Sequence, residues 1–204
     1  LPQETLAADG TVQTRSPHEQ LLFSRCLPNM GALYSMLPVL VCEDVPEGVR
    51  PYLDSGWCFA EVSTAWLGNQ LSPYSDHCKA SWWFRQVTHS SLNDPTGFAD
   101  AMDRELQCKH FLREEDRGEV RNIIRGFHTK ARLVSALKSK SKTDLETVLA
   151  SDSFRTFGLL DQAVDSDLNT PLHLAVAHNF CEGVKQLLEA GARKDLRNLR
   201  GDLP

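Results

Sequence analysis

The sequence predicts an α/β unit followed by an all-α array of helix-turn-helix repeats. Three observations predict it. In the first part, a short apolar run at 39–42, bounded by Pro38 and by Glu43-Asp44, lies between two stretches with helical spacing. In the middle, a regular apolar stripe from Val120 to Leu137 marks one long amphipathic helix. At the end, Thr170-Pro171 and Leu203-Pro204 stand at equivalent places one 33-residue period apart, the signature of stacked repeats.

Composition bounds the answer. With 204 residues, 41% hydrophobic and 24% charged, the chain has material for one domain and part of a second. A net charge of -5 disfavours nucleic acid, because backbone binding needs clustered Lys and Arg. The longest apolar run, 37–42, is far short of the roughly 20 residues that cross a bilayer, so no membrane segment is expected in this chain. Six widely spaced cysteines among apolar neighbours suit reduced, buried thiols, and hence a cytoplasmic protein. Leu1 and the pattern running into Pro204 suggest a fragment open at both ends.

The elements follow in order. Ser16-Pro17-His18-Glu19 is a capping box with proline in the first turn. Phe23, Cys26, Met30, Leu33, Tyr34 and Leu37 then keep helical spacing, with Pro28 predicting a kink or two abutting helices. The run at 39–42 reads as a short buried strand. A loop at 45–51 leads to Asp54 or Ser55 as the cap of a helix carrying Trp57, Cys58, Val62, Ala65 and Trp66, ended by Gly68-Asn69. The stretch 82–87, with Trp82-Trp83-Phe84, reads as a strand. Helical spacing returns after Asp94-Pro95 with Phe98, Ala101, Met102 and Leu106. The long helix starts at Asp116 and carries Val120, Ile123, Ile124, Phe127, Ala131, Val134 and Leu137. The basic, serine-rich stretch 138–143 reads as a solvated linker between a first domain, 1–137, and a repeat region, 144–204.

Thr170-Pro171-Leu172-His173-Leu174-Ala175 matches T-P-L-H-x-A at every fixed position, and this resembles the ankyrin repeat. Leu187 and Leu188 supply the second helix's apolar face and Gly191 closes it. His173 is read here as a structural hydrogen-bonding residue rather than an acid or base. Leu145, Val148 and Leu149 resemble the second helix of a degenerate preceding repeat, with an enlarged loop at 152–164. Leu168 departs from the glycine usual at its position, and Leu203 from threonine. The resemblance implies a surface for a protein partner.

Ser55-Gly56-Trp57-Cys58-Phe59-Ala60-Glu61 resembles the S-x-W-C-x-x-E segment of TIR domains. Leu1-Pro2-Gln3, Glu19-Gln20, Met30 and Tyr34 are similar to the pattern of the related heterokaryon-incompatibility domains. The resemblance implies a flavodoxin-like three-layer α/β fold, incomplete at its N-terminus, that self-associates or docks. It also implies an enzymatic alternative, an NAD glycohydrolase with an ankyrin sensor array, in which Glu61 is the catalytic carboxylate and NAD the substrate. Beside it stands the reading of Glu61 as an ordinary glutamate on a helix whose other face is core. A first domain unrelated to TIR domains also stays open. His77-Cys78 with Cys108 and His110 lack zinc-site spacing, so no metal is assigned.

The leading expectation is a cytoplasmic signalling protein that binds a protein partner through its ankyrin repeats.

Overall fold

A computed structural model describes residues 5–6, 12–13, 16–41, 47–72 and 94–204. Two short strands, β1 (Thr5–Leu6) and β2 (Val12–Gln13), pair antiparallel. Eight helices follow among the described residues, each of the first three started by a side chain adjacent to it in sequence.

Helix α1 (Pro17–Met36) has the predicted capping box: Ser16 Oγ accepts from the Glu19 N–H at 3.3 Å, and Glu19 Oε2 accepts from the Ser16 N–H at 2.8 Å. It runs as one element through Pro28. Helix α2 (Gly56–Leu67) follows a 3-10 turn at Tyr52–Asp54 and is capped by Ser55, not Asp54. It stops at Gly68, after which Asn69 takes the left-handed conformation (φ 57). Helix α3 (Pro95–Gln107) is capped by Asp94, whose Oδ1 accepts from the Thr96 and Gly97 N–H groups.

These residues do not build the expected three-layer α/β fold. Among the described residues, strand pairing beyond β1–β2 is limited to two isolated parallel bridges, Val39 with Leu71 and Ser55 with His110. A strand of a parallel sheet must be covered on both faces. In the run at 39–41, Val41 is buried but Leu40 is 60% exposed, so one face has no covering layer. Helix packs on helix instead. The stretch 82–87, Cys42 and the first residues of the heterokaryon-incompatibility resemblance, 1–3, lie outside the described residues.

Helix α4 (Asp116–Ser139) organises the rest. Its first half places Val120 and Ile124 in a cluster with Phe59, Val62, Phe98, Met102 and Leu106. His128 stacks flat on Phe98, with ring centres 3.7 Å apart. The second half places Leu133, Ala136 and Leu137 in another cluster with residues of the repeat region, among them Leu145, Leu172 and Leu187.

The stretch 138–143, read as a linker, is a tight helix-to-helix turn. Ser139 ends α4, Lys140 takes φ 56, and the Ser141 N–H donates to Ala136 O at 3.0 Å. Ser141 Oγ then caps α5 (Lys142–Ala150) by accepting from the Asp144 N–H. A left-handed residue followed by a helix-capping serine reverses the chain in the fewest residues, which a flexible spacer would not do. Short α6 (Asp152–Thr156) sits in the enlarged loop, and α7 (Pro171–Ala177) and α8 (Cys181–Glu189) form the antiparallel pair of the repeat.

Candidate functional site

The turn at 164–169 projects ahead of α7 and is tied by its own side chains. Asp165 Oδ1 accepts from the backbone N–H groups of Asp167 (3.1 Å) and Asn169 (3.0 Å), and Asp165 Oδ2 accepts from Asn169 Nδ2 (2.9 Å). Val164 N donates to Asn169 O at 2.8 Å, closing the turn. Leu168 completes it at φ 57, the strained position where glycine would be free of cost.

Thr170 opens α7 through a reciprocal cap with His173. The backbone N–H of Thr170 donates to His173 Nδ1 (3.2 Å), so that nitrogen holds a lone pair and the ring proton sits on Nε2. Nε2 then donates to the carbonyl oxygen of Asp202, 3.0 Å away in the next turn of the pattern. Thr170 Oγ1 lies 2.8 Å from Nδ1 and accepts from the His173 N–H at 3.5 Å. A buried imidazole with both nitrogens engaged has no free position for proton transfer to a substrate. Its role is to lock one turn onto the next.

The same lock is repeated by other pairs. Asn198 Nδ2 donates to Asn169 Oδ1 (2.9 Å), Leu199 N to Asp167 O (2.7 Å), and the Arg200 guanidinium pairs with Asp167 (3.0 Å). Pro171, Leu172 and Ala175 are buried in α7 and Leu187 in α8, while Leu188 is partly exposed. Gly191 closes α8 at φ 95, a conformation side-chain-bearing residues rarely adopt.

Residues 167–199 match the ankyrin-repeat family model. The comparisons with curated proteins and with solved structures return no match for the chain. The ankyrin repeat thus has its buried signature residues, its turn and its two helices in place, and α4 with α5 packs against it as a preceding helix pair. What it offers outward is the turn and the solvent face of α7. Val176 is 45% exposed and Leu199, at the next turn, 66%. On the α5 and α8 side, Lys142 bridges Glu182 (3.1 Å) and Glu146 (3.9 Å), joining the two layers electrostatically.

Glu61 sits at the meeting of α1, α2 and the 3-10 turn. Its Oε1 accepts from the Tyr34 hydroxyl (3.0 Å) and its Oε2 from the Tyr52 hydroxyl (3.1 Å). Burial first, and the Glu61 carboxylate second, push the Tyr34 hydroxyl up to about 12 and raise Tyr52 as well. Both therefore stay protonated donors. Cys58, one turn earlier, is also raised, chiefly by burial, with the Ser55 hydrogen bond acting against it. Its thiol is thus a poor source of thiolate. The Trp57 indole N–H donates to Asp116 Oδ2 at 3.0 Å, tying α2 to α4. A hollow of about 30 Å³ beside Glu61 has room for a group the size of one or two waters. The arrangement draws three segments together around one carboxylate.

Four cysteines are described and all are free thiols. Cys26, Cys108 and Cys181 are exposed and only Cys58 is partly covered, which corrects the expectation of buried thiols. Apolar sequence neighbours did not predict burial because each of the three exposed cysteines faces outward on its helix or turn. No group of potential metal ligands is found among the described residues, and His77 and Cys78 lie outside them. No described helix is long and apolar enough to cross a membrane.

Sequence reasoning missed the buried polar residues of α4: His128, Thr129, Lys130 and Arg132. Their residue types signal solvent exposure, and only the packing of both α4 faces reveals otherwise. It also missed Asp165 and Asn169 as the ties of the turn, although an Asp four residues before an Asn is a legible turn signal.

Proposed function

We propose that this chain is a protein-binding component that presents its ankyrin repeat to a macromolecular partner. The observation that carries this reading is the pair of successive turns locked by His173, Asn169 and Asp167, which holds exposed Val176 and Leu199 on a rigid frame. Rigid display lowers the entropy lost on binding. In this reading residues 1–137 and 144–204 remain two functional parts, a docking module and a repeat region, with α4 as their common wall. Self-association of the first part and a cytoplasmic, signalling setting belong to the same proposal, and sedimentation velocity tests the former.

The test is proximity labelling in cells with the unaltered chain, with Val176→Arg/Leu199→Arg, and with Glu189→Arg as a surface control. The double variant should lose a defined set of neighbours at unchanged melting temperature, while the control keeps them. An unchanged set in the double variant removes the proposal.

The NAD glycohydrolase reading gains no favouring observation, since both Glu61 oxygens are held by tyrosines and the adjoining hollow is small. Nicotinamide release from NAD by the unaltered chain, abolished in Glu61→Gln, would reverse that judgement.

A further inference from the structure

Lys130 is the most deeply buried cation of the described chain, with 7% of its surface exposed. Its ammonium donates to Ser35 Oγ at 3.3 Å, and Ser35 passes its own hydrogen to Ala32 O at 3.0 Å. The Phe127 ring lies 5.6 Å from the charge. An ammonium has three N–H donors, and Ser35 takes only one among the described residues. Asp165 is the carboxylate that acts on it, and the oxygens of Asp165 are already committed to holding the repeat's turn. A buried cation without a contacting counter-ion is costly and is normally paired.

Ser35 and Lys130 line a cavity of about 160 Å³. Gln70 and Lys138 add polar wall; Phe127, Val134 and Leu174 add apolar wall. Two lysines against one aspartate leave a single positive charge to be matched, which suits a monoanion better than a phosphate dianion. A cavity of about 150 Å³ accepts a benzene-sized body.

We propose that this cavity binds a small organic monocarboxylate, with its carboxylate on Lys130 and its apolar body against Phe127, Val134 and Leu174. The walls come from α1, the turn after α2, α4, the repeat's turn and α7, so the ligand lies where the first part meets the ankyrin repeat. Burial holds the Lys130 ammonium down to about 8, and a bound carboxylate would restore it.

The probe is benzoate, with benzyl alcohol as its uncharged match and inorganic phosphate as the purely ionic one. Calorimetric or NMR titration of the whole chain should show saturable benzoate binding, tighter by about tenfold or more than either control, as one charge-assisted hydrogen bond supplies. Benzoate should also slow trace acetylation of Lys130 by acetic anhydride several-fold, read by mass spectrometry, while exposed Lys185 is unaffected. Lys130→Met, which keeps the volume and removes the charge, should weaken benzoate about tenfold. Should that variant fail to fold, protection of Lys130 in the unaltered chain decides alone. Equal binding of benzyl alcohol or phosphate, undiminished binding by a folded Lys130→Met, or no protection of Lys130 overturns the proposal.

Discussion

Lys130 makes the stability of this chain depend on pH in a direction that ordinary surface lysines do not. Burial lowers its ammonium from 10.5 to about 8, with Asp165 opposing the change. The folded value lies below the unfolded one, so between about pH 8 and 10.5 the unfolded chain holds a proton that the folded chain has released, and stability rises with pH. A shift of this size corresponds to roughly 3 kcal/mol of penalty at neutral pH, of which about 2 kcal/mol is relieved by pH 9.5. Cys58, Tyr34 and Tyr52 have raised values and act oppositely, losing stability as pH climbs past their unfolded values. They are present in Lys130→Met too, so the difference between the two proteins isolates the lysine. Urea denaturation of both at pH 7, 8, 9 and 9.5 supplies it. Lys130→Met should be the more stable protein at pH 7, and the gap should narrow by about 2 kcal/mol at pH 9.5. A gap that stays constant across this range refutes the reasoning, because it would mean that Lys130 keeps its proton equally in both states.

Three further outcomes follow from local geometry. Thr170→Ala removes the side-chain half of the cap shared with His173 inside a buried turn, leaving the backbone N–H bond to Nδ1, and should cost about 1–2 kcal/mol, read as a lowered melting temperature. Leu168 is 42% exposed and sits at φ 57, so Leu168→Gly should exceed Leu168→Ala in stability by about 1 kcal/mol in denaturant melts, the reverse of the usual ranking. Gly68 meets the backbone of Ser35 where a Cβ would stand, and Gly68→Ala should cost about 1–3 kcal/mol by chemical denaturation because backbone yields less than a side-chain tip.

The repeat was legible in the sequence because its signature residues act locally. Thr170 and His173 are three residues apart and bond to each other, and the 33-residue period is enforced by contacts from one turn to the next, such as His173 to Asp202. Helix starts were legible for the same reason: Ser16, Ser55 and Asp94 cap the chain that immediately follows them. The α/β class was not, since a four-residue apolar run fits a buried strand or an edge segment equally, and only its neighbours decide. For 39–41 the neighbour is a single bridge to Leu71.

The least legible feature is the one that gives the molecule its layout. The apolar stripe of α4 reports one face, and Lys and Ser after it report a linker. Yet Thr129, Arg132, Leu133 and Ala136 bury a second face, and Lys140 with Ser141 turn the chain straight into α5. A helix buried on two sides belongs to both clusters: its first half packs with Phe98, and its second half places Leu133 and Leu137 beneath the ankyrin repeat. Lys130 lies between these two sets of contacts, facing a cavity whose walls come from both parts. The buried charge thus sits where the first part meets the repeat, so the comparison of Lys130→Met with the unaltered chain reads the cost of a cation at that junction.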